Sequence, residues 1–116
     1  MRDPLAAFDD AHVAGVASEY DVGERRLREC LRRHQQQVRD LPGVEDIVYE
    51  WRRAFPWDPV VERRDEAYRL RVEPNVWPEF SNALGFDDAE TAAVRAVHER
   101  HVPGSQGGDA MVLTRP

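Results

Sequence analysis

The stretch from Glu24 to Asp40 constrains the fold more than any other part of the chain. It contains neither proline nor glycine, and Leu27, Leu31, His34 and Val38 recur at i, i+4, i+7 and i+11. That period predicts one helix with a single apolar stripe. At about 100° per residue, Arg25, Arg28, Arg32 and Arg39 gather on one exposed stripe opposite it. Leu41-Pro42-Gly43 ends the helix, because proline lacks a backbone donor and pushes the preceding residue away from helical angles.

Other elements follow from shorter signals. Asp9 or Asp10 caps a helix carrying Val13, Val16, Ala17 and Tyr20, and Asp21-Val22-Gly23 breaks it. Val44, Ile47, Val48, Trp51 and Phe55 share one face if residues 44–55 are helical, whereas a strand would split Ile47 from Val48; a third helix is the reading adopted. Val60 to Arg63 and Ala67 to Val72 form a hairpin, in which Tyr68, Leu70 and Val72 alternate with Arg69 and Arg71 on a wet face. Arg64-Asp65-Glu66 lacks a favoured two-residue turn pair, so a bulged or longer connection is expected. Asn75 starts a short helix through Val76, Trp77, Phe80 and Leu84 that Gly85 stops. Asp87 and Glu90 then make a capping box for a last helix bearing Ala93, Val94 and Val97. Gly104-Ser105-Gln106-Gly107-Gly108 reads as flexible, and Met111-Val112-Leu113 as either a last strand beside the hairpin or a frayed tail.

The fold class expected is therefore α+β, with N-terminal helices packed on a small antiparallel hairpin sheet and two C-terminal helices. Residues 1–103 form one globular domain, and 104–116 a glycine-rich segment with a tail or edge strand. The 116 residues suit one core, and their 41% hydrophobic and 33% charged composition is that of a globular chain with an ion-dense surface. No apolar run reaches the roughly 20 residues of a membrane helix, and Met1-Arg2-Asp3-Pro4 has no secretory signal pattern, so a cytoplasmic location and no membrane contact are expected. Cys30 is the single cysteine, which excludes an internal disulfide and a four-cysteine zinc site.

All 16 basic residues are arginine and 22 are acidic, for a net charge of −6. In that balance the chain resembles small uncharacterised proteins of halophilic archaea, a likeness of composition that implies no activity. GC-rich codon usage is the simplest cause of the all-arginine basic set. Residues 16–31 resemble a helix-turn-helix unit, with Ala17, Val22, Leu27 and Cys30 or Leu31 at its apolar anchor positions. The resemblance implies nucleic-acid contact through Arg25, Arg28, Arg32 and Arg39. Asp21 stands where glycine is usual, and Glu24 and Glu29 would face phosphate.

His98 and His101 have a spacing that can share a metal, yet no third ligand is identifiable, so no metal and no cofactor are expected. No phosphate loop, nucleophile elbow or dinucleotide fingerprint is present, and no catalytic residue is assigned. Trp51, Phe55, Trp57 and Tyr68 concentrate aromatic area around the hairpin and mark a ligand or partner surface. The expected function is a non-enzymatic binding or regulatory module that meets a protein partner or itself, with nucleic acid as a further partner. The competing class is a small-molecule pocket or minor enzyme built on the aromatic cluster.

Overall fold

The apolar periodicities resolve, in a computed structural model describing residues 1–104 and 107–116, into five helices and a three-stranded sheet. In chain order these are α1 (Asp10–Glu19), α2 (Glu24–Asp40), α3 (Val44–Ala54), β1 (Val60–Arg63), β2 (Ala67–Val72), α4 (Val76–Leu84), α5 (Asp88–Glu99) and β3 (Asp109–Thr114). The sheet is antiparallel in the order β1-β2-β3, so the fold is α+β. Ser105 and Gln106, at the centre of the stretch expected to be flexible, lie outside the described residues.

Local chemistry sets the boundaries. The Asp9 carboxylate accepts from the amides of Ala11 and His12 and opens α1. Asp21 turns the chain into α2 with φ of 53°, a left-handed angle that aspartate tolerates better than bulkier residues. Leu27, Cys30, Leu31, His34, Gln35 and Val38 of α2 are buried, so the predicted stripe does face the core. Gly43, at φ 106°, bonds back to the Val38 carbonyl and lets α3 start at once. Gly85 ends α4 at φ 72°, and Asp87 and Glu90 form the reciprocal capping box of α5. The hairpin register shifts between Val60 and Glu62, which leaves one extra residue, Val61, as a bulge.

The tertiary structure settles one open alternative and changes one reading. Of the alternatives for the C-terminal segment, the strand forms: β3 pairs with β2 along its length, and Met111, Val112 and Leu113 are fully buried. Arg71, expected on a wet face, is buried instead. It donates to Glu99 of α5 and to the carbonyls of Gly104 and Gly108, so the strand's alternation is overridden by what packs over it.

β3 is an edge strand inside the protein, and its unpaired backbone row has no water to turn to. Side chains from three helices replace the missing strand. Val112 donates its N–H to His98 Nδ1 at 2.8 Å and accepts from Gln35 Nε2 at 2.8 Å. Thr114 donates to Gln35 Oε1 at 2.8 Å, while the Trp77 indole N–H donates to the Ala110 carbonyl at 3.0 Å. Ala110 N–H reaches Glu99 Oε2 at 3.4 Å. Replacing Gln35 by leucine keeps the volume but strands the Val112 carbonyl and the Thr114 amide. At about 1–3 kcal/mol for each unpaired buried group, Gln35→Leu is expected to lower unfolding stability by roughly 2–6 kcal/mol in urea titration.

Candidate functional site

The C-terminal half of α3 and the turn after it place three aromatic rings in a row. Trp51 and Phe55, four residues apart, stack at 5.8 Å between centroids and 17° between planes. Phe55 meets Trp57 at 5.8 Å and 45°. Trp51 and Phe55 are half-buried and Trp57 is exposed. The row is anchored at its far end, where the Trp57 indole N–H donates to the Arg71 carbonyl at 3.1 Å. Gly108 allows that anchorage: at φ 98°, a Cβ there would stand 3.0 Å from the Val72 carbonyl and 3.2 Å from the Trp57 ring.

A concavity flanks each end of the row. One, of about 230 Å³, opens between α3 and α4 above α2 and is lined by Gln37, Ile47, Trp51, Val76, Phe80 and Ala83, with Glu79 at its margin. The other, of about 540 Å³, lies beside Trp57, Val60 and Val61. Of the five apolar positions on α3's face, only Val44 and Val48 are buried; Ile47, Trp51 and Phe55 stay partly at the surface. A stripe wider than the core requires was the signal in the sequence for this surface, and it shows only once the packing is known. Ile47 and Phe80 are apolar helix positions in the sequence with nothing to mark them as surface, and Ala83 carries no signal there.

Tyr68 does not join this row. It is buried on β2, its hydroxyl donates to Glu45 Oε1 at 2.7 Å, and Arg63 and Arg115 lie against its ring. Burial, together with the Glu45 carboxylate, pushes its phenol above the ordinary range. Tyr68 therefore braces the start of α3, whereas Trp51, Phe55 and Trp57 sit at the other end of that helix.

The arginines of α2 are not one open stripe. Arg25 is exposed, with no acceptor among the described residues. Arg28 is half-buried between Asp10 at 3.0 Å and Glu24 at 3.3 Å, and Arg32 reaches Asp3 at 3.4 Å. Arg39 is half-buried and donates to the Arg2 carbonyl at 2.6 Å, and its Nε and Nη2 are buried without an acceptor. Its burial lowers the guanidinium's affinity for its proton. For Arg32 and Arg39 the cause is the segment before α1, whose Asp3 and Arg2 reach α2 and which helical periodicity does not place; for Arg28 it is the first turns of α1 and α2.

The histidines are engaged with backbone. His101 donates from Nδ1 to the Val97 carbonyl at 2.8 Å and accepts the Asp9 N–H at Nε2. His98 spends Nδ1 on Val112, so the 98/101 pair does not converge. Among the described residues no three His, Cys, Asp or Glu side chains gather at one point. Burial pushes the Cys30 thiol up to about 11, away from thiolate reactivity.

His34 and His98 lie edge to face at 5.4 Å, both with Trp77 and both with Nε2 buried and unpartnered. Desolvation lowers His34 from the ordinary 6.5 to about 3 and His98 well below the ordinary range. Below pH 6.5 the unfolded chain takes up protons that the folded chain refuses. Stability is therefore full above that value and declines as pH falls toward about 3. Each histidine contributes a slope of about 1.4 kcal/mol per pH unit. His101 is lowered by burial in the same direction, so His34→Leu, which removes one of three such acceptors, is expected to lower the combined slope by about a third to a half between pH 6 and pH 4.5 in denaturant titrations.

A family described as "Domain of unknown function (DUF8048)" matches residues 6–111. No curated protein and no solved structure matches the chain. No helix among the described residues is long and apolar enough to cross a membrane.

Proposed function

The chain belongs to the DUF8048 family, and we propose that it is a non-enzymatic binding module acting through protein contacts on the α3–α4 face. The observation that carries this reading is the Trp51-Phe55-Trp57 row, in line and partly open to solvent between two concavities. Large aromatic side chains beside an apolar cleft are the residue types that dominate binding energy at protein interfaces. Their rigidity supports the same reading, because Trp57 is already hydrogen-bonded and the row loses little freedom on contact.

The test is affinity capture from the source organism's lysate on immobilised native chain, Trp51→Ser/Phe55→Ser and the control Arg25→Glu, followed by calorimetry with each purified candidate. The expected outcome is a protein held by the native chain and by Arg25→Glu but weakened by about 2 kcal/mol or more in the double variant. Identical retention on all three overturns the reading. Thermal shifts with metabolites that vanish in the double variant would favour a small-molecule pocket instead.

A second reading, nucleic-acid contact through α2, draws support from the left-handed Asp21 at the α1–α2 turn. Against it stand the carboxylates paired with Arg28 and Arg32, which phosphate would have to displace. Duplex DNA binding that Arg25→Glu weakens, measured by anisotropy across a salt series, would favour it.

A further inference from the structure

The concavity beside Trp57 is built differently from the cleft at the other end of the row. Trp57, Asp58, Val60, Val61, Arg71 and Gly107 line it, so its wall joins the turn after α3, both hairpin strands and the segment before β3. Its volume of about 540 Å³ lies within the roughly 300–1,000 Å³ of small-molecule sites, which combine apolar walls with a few placed polar groups. The wall is set in advance. The Arg71 carbonyl holds the Trp57 indole N–H at 3.1 Å, and Gly108 leaves room for the ring, because a Cβ there would stand 3.2 Å from it.

The polar side-chain groups of that wall are nearly all spent. Trp57 has no second donor and so offers only its ring. The Asp58 carboxylate accepts the Val60 N–H at 3.0 Å through one oxygen and meets Arg52 at 3.4 Å through the other. Arg71, 4% exposed, gives Nη1 to Glu99 at 2.9 Å and to the Gly108 carbonyl at 3.4 Å, and Nη2 to the Gly104 carbonyl. What remains is Arg71 Nε, buried and with no acceptor among the described residues. A donor shut away from water has lost its hydration, and it gains a full hydrogen bond when an oxygen reaches it.

Charge narrows the choice of ligand. Arg52 is set against Asp58 and Arg71 against Glu99, so the rim holds no excess cation to draw in an acid, and the whole chain carries −6. Val60, Val61 and the Trp57 ring suit a flat apolar body. We infer that this concavity binds an uncharged aromatic ring bearing one carbonyl oxygen, the ring lying against Trp57 and the oxygen accepting from Arg71 Nε. The site is separate from the α3–α4 cleft and stands or falls independently of it.

Acetophenone and ethylbenzene share a shape, and only the first has an oxygen. Two-dimensional NMR of the full chain, following the Trp57 indole and Gly108 amide signals through titration with each, tests the site. Both signals are expected to move saturably, with acetophenone about tenfold or more the tighter ligand, as one hydrogen bond to a charged donor provides. Benzoate, with the same ring and a negative charge, is expected to bind more weakly than acetophenone. Arg71→Lys keeps a cation beside Glu99 but lacks Nε, and is expected to bring acetophenone and ethylbenzene to equal affinity. Val61→Trp, at an exposed position, fills the concavity and is expected to abolish binding of both; circular dichroism checks that each variant folds. Signals that neither ligand moves overturn the inference, as does equal affinity of the pair for the native chain, or benzoate as the tightest ligand. A preference that survives Arg71→Lys, or binding that survives Val61→Trp, overturns it as well.

Discussion

The interior of this protein is organised by the need to satisfy the outer edge of β3. A strand buried at a sheet edge leaves alternate amides and carbonyls facing the core, and each one unpaired costs as much as a lost hydrogen bond. Here Gln35 on α2, Trp77 on α4, and His98 and Glu99 on α5 supply the partners. Three helices are thereby tied to one strand. Gln35 alone bridges Val112 and Thr114 with both ends of its amide, which fixes the register of α2 against the sheet.

That arrangement explains polar residues that would otherwise look functional. His98 is neutral because it must accept from Val112, and His34 is neutral because it packs against His98, Trp77 and Phe80 away from water. Arg71 is buried because it holds Glu99 and the carbonyls at Gly104 and Gly108 ahead of β3. Much of the chain's unusual chemistry is spent on placing its last strand. The two ends of the sheet are protected differently: β3 by side chains, and β1 by being short, bulged and charged.

What the core does not use is informative in the same way. α3 contributes Val44 and Val48 to the interior and leaves Ile47, Trp51 and Phe55 on a face shared with Phe80 and Ala83 of α4. Because α3 and α4 each pack on α2 with a cleft between them, apolar surface stays open where a third element would sit. On α2 the balance runs the other way. Of the four arginines expected on one open stripe, Arg28 and Arg32 are paired with Asp3, Asp10 and Glu24, and Arg39 is turned onto the Arg2 carbonyl, so Arg25 alone is left exposed with no acceptor among the described residues.

Local periodicity and capping were enough to locate α2, α3, both hairpin strands and the capping box of α5, because those signals depend on neighbours within a few residues. Trp51, Phe55 and Trp57 were legible as a group for the same reason: they are close in the chain and fall on one side of it. Tyr68 could not be separated from them, nor Arg39 from Arg25, since only the crossing of the N-terminal segment and the far face of β2 decides what those side chains meet. The sequence by itself determined the helix from Glu24 to Asp40, the hairpin strands and the capped C-terminal helix, together with the greasy stripe of the first of these. The tertiary structure alone decided that Met111 to Leu113 is core, that Gln35 and His98 are surrogates for a strand, and that a cleft lies between α3 and α4. Those outcomes depend on groups from 14 to 79 residues apart in the chain, and hydrogen-bond satisfaction between them has no period to read.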